Sequence, residues 1–175
     1  RLSLVGSEMC IRDRSRTPYN KINIHIGGAY GDKVSAMERF CENFHRLPNS
    51  VKSRLTVEND DKATMYSVKD LYEGVYKVIG IPIVFDYHHH RFCTGGLSEE
   101  DALEVAISTW GNIVPVVHYS ESRNIEQEDD KIRPQAHSDY VYDYIDTYGN
   151  EVDIMVEAKA KELAVLKYKE IHEVV

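Results

Sequence analysis

The sequence predicts an α/β fold, an incomplete (β/α) barrel of about five C-terminal βα units, on three observations. Short segments rich in Ile, Val and Leu alternate with amphipathic helical stretches. Most of those segments are too continuously apolar for strands with one wet face, so they read as buried parallel strands. Each also ends in a side chain able to bind a metal. Strand–helix alternation implies right-handed βαβ units and a parallel sheet. An open doubly wound sheet gathers its ligand at one switch point, whereas a barrel brings every C-terminal strand end round one mouth. The loaded strand ends favour the barrel.

Taken in order, the first strand is expected over Ile22–Ile26, delivering His25. Asp32–Leu47 then places Val34, Met37, Phe40, Cys41 and Phe44 at helical spacing. Leu55–Val57 is the second strand and leads to Glu58. Ser67–Ile79 carries Leu71, Val75 and Val78 on one face, and Ser67 with Asp70 three residues on forms a capping box. The third strand, Ile81–Phe85, leads to Asp86. Ser98–Trp110 opens as Ser-Glu-Glu-Asp, an N-cap followed by acids that suit a helix N-terminus. Ile113–Val117 leads to His118 and Asp153–Val156 to Glu157, after which Ala158–His172 is built of strong helix formers.

The five polar residues fall 28 to 39 residues apart, about one βα unit. Eight units need roughly 250 residues, so about three strands are expected upstream of Lys21. Arg1–Arg14 fits none of this pattern and reads as translated sequencing adaptor. That leaves residues 15–175 as the C-terminal part of the barrel domain.

Bulk properties narrow the class. The chain has 175 residues, 42% of them hydrophobic and 29% charged, as in ordinary globular proteins. No apolar run approaches the roughly 18 residues of a membrane helix, and the N-terminus lacks a secretory pattern. Three scattered cysteines (Cys10, Cys41, Cys93) make neither a disulfide framework nor a zinc knuckle. An intracellular protein is expected, cytoplasmic and at the nucleoid if bacterial, and monomeric. The net charge of −8 is opposite in sign to that of a usual nucleic-acid binder. Divalent cations bound in an acidic, His-rich pocket would reverse the sign locally.

The chemistry-bearing residues cluster at the strand ends. In Asp86-Tyr-His-His-His90 an acid and three histidines leave an apolar strand, where a carboxylate and an imidazole three apart reach one cavity. A surface His cluster in a loop is the bland alternative. In Glu58-Asn-Asp-Asp61 three acids in four residues repel unless a cation is near. Glu58 continues the strand and is assigned to the metal with Asn59 in support, while Asp60 or Asp61 caps the next helix. Glu157 stands between a strand and a helix and must be paired or coordinating, with Lys159 and Lys161 as competing partners. Gly27, Gly28 and Lys33, beyond His25, form a loop that lets amides and an ammonium face a phosphate. His118 and His137 complete the set. Mixed imidazole and carboxylate donors suit Mn²⁺, Zn²⁺ or Fe²⁺ and leave Mg²⁺ open. Seven candidate ligands exceed the needs of one ion, and two ions a few ångströms apart suit phosphoester hydrolysis.

Together the motifs His25-Ile-Gly-Gly with Gly31-Asp-Lys33, Val57-Glu-Asn-Asp-Asp61, Phe85-Asp-Tyr-His-His-His90, His118-Tyr-Ser120, His137-Ser-Asp-Tyr140 and Glu157-Ala-Lys159 resemble the UV-damage endonucleases. The resemblance runs from about Lys21 to Lys169. It implies a TIM barrel similar to endonuclease IV, with a cluster of divalent metals, commonly manganese. It also implies incision of damaged double-stranded DNA immediately 5′ to UV photoproducts and some other lesions. Carried over residue by residue, it puts His25, Glu58, Asp86, His89, His118, His137 and Glu157 on metal-ligand positions. His89 is preferred to its neighbours because the family spacing from the acid is three. Glu58, Glu157 and His118 are expected to carry catalysis. The family's Lys two residues before this His is here Val116, which removes one bridging contribution, and further His ligands and the damage-probing residues are expected upstream. Two rivals stand beside this reading: a xylose-isomerase-like sugar isomerase or epimerase, and an inactive metal-binding fragment.

Overall fold

The computed structural model describes residues 19–173. The adaptor-like Arg1–Arg14 segment lies outside them. Five parallel strands form one sheet in the order β1-β2-β3-β4-β5, with β1 Ile22–Ile24, β2 Leu55–Glu58, β3 Ile83–Asp86, β4 Val116–Tyr119 and β5 Asp153–Val156. Every neighbouring pair is parallel. A doubly wound sheet would reverse its strand order at a switch point. The strictly sequential order here makes a half-barrel, as the strand-end pattern predicts.

Helices fill the crossovers: α1 Lys33–His45, α2 Asn49–Lys52, α3 Val68–Leu71, α4 Lys77–Ile79, α5 Tyr87–His90, α6 Glu99–Ile107, α7 Arg123–Glu126 and α8 Glu162–His172. The core lies between these helices and the sheet, where Val57, Ile83, Phe85, Leu71, Val75 and Leu103 are fully buried. Two predicted caps form, the reciprocal Ser67–Asp70 box on α3 and Ser98 on α6, and Asp32 caps α1.

Several expectations need correction. The stretch predicted as one helix over 67–79 is interrupted by a π-helical turn, Tyr72–Tyr76. A π turn adds a residue and shifts the phase of the residues after it, so Val78 points to solvent instead of continuing the Leu71–Val75 stripe. The turn also lets Gly74 approach α1, where a side chain would run into Met37. Val34, predicted on the apolar face of α1, is exposed in its first turn. The fourth strand starts at Val116, not Ile113. β5, expected to be buried, is an edge strand with Ile154 and Met155 exposed. The last helix starts at Glu162, four residues later than expected.

The loop from β1 to α1 closes with a turn over Ala29–Asp32, in which the Asp32 amide donates to the Ala29 carbonyl at 2.9 Å. Its two central residues, Tyr30 and Gly31, both have positive φ, 50° and 82°. Glycine takes this conformation freely, but for tyrosine it costs about 1–2 kcal/mol.

Candidate metal centre

Register places the donors. Side chains alternate along a strand, so residues aligned across parallel strands share a face. Asn23 aligns with Thr56, Glu58 with Val84, Asp86 with His118, and His118 with Met155. Asn23, Glu58, Asp86, His118 and, one step past β5, Glu157 therefore open onto one face at the C-terminal ends of the strands. His25 follows β1 there, and His89 returns to the same place from the first turn after β3.

All seven predicted ligands meet in one connected cluster. His25 Nε2 lies 3.7 Å from Glu58 Oε2, and His89 Nδ1 lies 3.5 Å from Glu58 Oε1 and 3.7 Å from Asp86 Oδ2. His118 Nδ1 sits between Glu58 Oε1 at 3.2 Å and Glu157 Oε1 at 3.1 Å. His137 Nδ1 is 3.6 Å from Glu157 Oε2. Among the described residues, two groups of three have ligand atoms all within 4.8 Å of one another: His25 with Glu58 and His89, and Glu58 with Asp86 and His118. Glu58 belongs to both.

Backbone and amide groups surround the donors. Asn59 is fully buried, and its side chain holds the end of β3 by donating to the Asp86 carbonyl (3.0 Å) and accepting from the Asp86 amide (2.9 Å). Its own carbonyl lies 2.9 Å from His89 Nδ1. With Nδ1–H engaged by a carbonyl, the lone pair of His89 is on Nε2, the usual way a protein orients a metal-binding imidazole. The Glu157 carbonyl does the same for His137 Nδ1 at 3.1 Å. Glu157 turns to these histidines, and no ion pair to Lys159 or Lys161 forms among the described residues. Lys33 is ion-paired to Asp70 at 2.8 Å, so its ammonium is pinned rather than free.

Three participants are not evident from the sequence. Asp60, offered with Asp61 as the cap of the next helix, is instead buried with Oδ1 3.3 Å from His25 Nδ1, and Ser67 alone caps that helix. Asn23 donates to Glu58 Oε2 from the neighbouring strand. His88 is fully buried, and its ring stands edge-on to His137 at 5.4 Å.

The electrostatics are those of crowded carboxylates seeking positive charge. Burial raises Glu58, but the hydrogen bond and charge of His118, with His25, outweigh it and hold the carboxyl down at about 2. Burial pushes Asp86 up to about 7, helped by the Glu58 charge and opposed by His89. His118 is lowered by burial, yet Glu157 and Glu58 carry it up to about 10, so an imidazolium neutralises the pair. Burial also raises Asp60, against the pull of His25.

The donors fit divalent metal. Oxygen and imidazole nitrogen are the ligands of borderline ions. Asp86 Oδ2 and Asp60 Oδ2 are buried carboxylate oxygens that accept no hydrogen bond. Buried anionic oxygens persist when paired or coordinating.

Fold and site together define an α/β half-barrel with a histidine–carboxylate cluster at its strand ends. Residues 5–174 match the family model for UV-endonuclease UvdE. The chain belongs to that family. It is 40% identical over 164 residues to a UV DNA damage endonuclease from Bacillus cereus (strain Q1), covering 87% of this chain and 48% of the relative. To the enzyme of the same description from Bacillus pumilus (strain SAFR-032) it is 41% identical over 160 residues, covering 85% and 47%. A solved structure described as the crystal structure of SacUVDE superposes with a TM-score of 0.72 at 35% identity, over 87% of this chain and 51% of the other. The chain thus spans about half the length of the relatives it matches. Among the described residues no helix is long and apolar enough to cross a membrane.

Proposed function

We propose that this chain supplies the metal-binding half of a DNA-repair endonuclease that cuts the phosphodiester bond 5′ to UV photoproducts and related lesions in double-stranded DNA. The complete fold in this reading is a TIM barrel of endonuclease IV type, acting as a monomer inside the cell. The carrying observation is that Glu58 is common to both ligand groups, which supports a centre of more than one ion. Family membership favours the nuclease over a sugar isomerase.

His25, Glu58, Asp86, His89, His118, His137 and Glu157 would hold the ions, with Mn²⁺ preferred and Zn²⁺, Fe²⁺ or Mg²⁺ also compatible with the donor set. Bound ions supply Lewis acidity toward the phosphate and an activated water for its hydrolysis. The protein's part is to fix this charge in place. Glu58 couples the two ligand groups, and Asn59 locks the position of Asp86 and the orientation of His89. His118 and Glu157 hold each other at 3.1 Å on the far side of Glu58. In this reading the Gly27–Gly28 backbone would receive a flanking phosphate, and Lys33 would contribute only by giving up its ion pair with Asp70.

The test is nicking of UV-irradiated plasmid by a full-length version of the protein. Glu58→Gln and Glu157→Gln are each expected to abolish nicking, and activity retained in both variants rejects the assignment.

A further inference from the structure

We propose that Tyr30 is a DNA-stacking residue, whose ring lies against a nucleobase near the phosphate that the metal centre receives. The proposal rests on the reading of the cluster as a DNA-cutting site and adds a contact residue to it.

Four observations converge on this side chain. Tyr30 is 90% exposed, the most exposed large hydrophobic side chain among the described residues. It occupies a left-handed position, φ 50°, at the tip of the Ala29–Asp32 turn, where glycine or asparagine would sit without strain. A bulky residue held in such a conformation is a reason to look for function. Its ring is also placed, because it lies back over Gly28, so close that a Cβ there would meet Tyr30 Cε2 and Cζ at 3.0 Å. The outer end of the ring thus sits beside Gly28 while the residue stays open to solvent. Finally, Tyr30 lines two hollows of about 300 Å³ and 430 Å³, one together with Gly27, Gly28 and Arg39 and the other with Gly31, Lys33 and Met65.

Position supplies the ligand. Tyr30 is five residues past His25 in the loop leaving β1, and in a parallel sheet all such loops crowd the end that carries the cluster. Ala29 beside it is buried and anchors the turn. An exposed aromatic ring beside a hollow that Arg39 also lines has the chemistry of a base-stacking platform.

The experiment uses this chain with Mn²⁺ and a duplex carrying a central UV photoproduct, labelled with 2-aminopurine beside the lesion. Mn²⁺ affinity, duplex affinity, 2-aminopurine fluorescence and melting temperature are measured for the wild type, Tyr30→Phe and Tyr30→Asn. Stacking on an aromatic ring is worth about a 5- to 150-fold change in affinity per base. Tyr30→Asn is expected to lose about that much duplex affinity and the fluorescence change, while keeping Mn²⁺ affinity and melting about 2–4 °C higher as strain is relieved. Tyr30→Phe should keep the duplex signal. Unchanged duplex binding in Tyr30→Asn overturns the proposal and leaves the metal centre standing, as does a wild type that binds Mn²⁺ but no duplex. A wild type that takes up no Mn²⁺ overturns the underlying reading and the proposal with it.

Discussion

Replacing Asn59 by alanine separates the holding of the site from the ligands themselves. The side chain makes two hydrogen bonds to the fully buried end of β3, one to the Asp86 carbonyl and one from the Asp86 amide. Without them the amide has no acceptor and the carbonyl loses a donor. A buried polar group left unsatisfied costs about 1–3 kcal/mol, so the substitution should destabilise the fold by about 2–5 kcal/mol. The backbone carbonyl of residue 59 survives, so His89 keeps its tether while Asp86 is freed to shift. Loss of such a supporting contact typically lowers metal affinity about 10- to 100-fold. Urea denaturation of the metal-free chain gives the first quantity and calorimetric titration with Mn²⁺ the second. A fall in stability with Mn²⁺ affinity unchanged would refute the positioning role. No change in either would refute the hydrogen-bond argument itself.

Three more outcomes are expected from the packing and the charges. Gly95→Ala should cost about 2–4 kcal/mol in urea denaturation, because its φ of 60° is left-handed and a Cβ would strike Ser67, the cap of α3. Thr109→Val should cost about 1–3 kcal/mol, since the Thr109 hydroxyl accepts from the buried Ile83 amide at 2.9 Å and valine leaves that amide unpaired. Asp70 is raised by burial, but the Lys33 ion pair and the Ser67 bonds outweigh this and hold its carboxyl below the ordinary 3.8. The depressed value means that its contribution to stability is present above pH 3.8 and is lost as pH falls toward the folded-state value. Asp70→Asn should remove that part of the acid sensitivity in pH-dependent melting.

Much of this arrangement was legible because polarity and position coincide. An acid or histidine directly after an apolar strand has one place to go, which is why His25, Glu58, Asp86, His118 and Glu157 stand out. The Ser67–Asp70 box announces itself by its spacing. The features that stay hidden depend on partners remote in sequence. Asp60 looks like any turn acid until His25 arrives 3.3 Å away. Asn23 carries no metal-binding signal and acts by touching Glu58 across the sheet. The π turn at Tyr72–Tyr76 has no compositional mark, and it alone decides that Val78 faces water.

Because Glu58, Asp86 and His118 ride on neighbouring strands in fixed register, their separations are set by the sheet: Asp86 and His118 are aligned one interstrand spacing apart, about 4.8 Å, and Glu58 sits on the next strand, two residues behind Asp86. The backbone itself acts as the ruler. Crossover helices and loops can lengthen, shorten or change sequence without moving these three groups relative to one another. A single residue inserted inside a strand, by contrast, would turn its donor to the opposite side of the sheet. Variation should accordingly be cheap between the strands and ruinous within them.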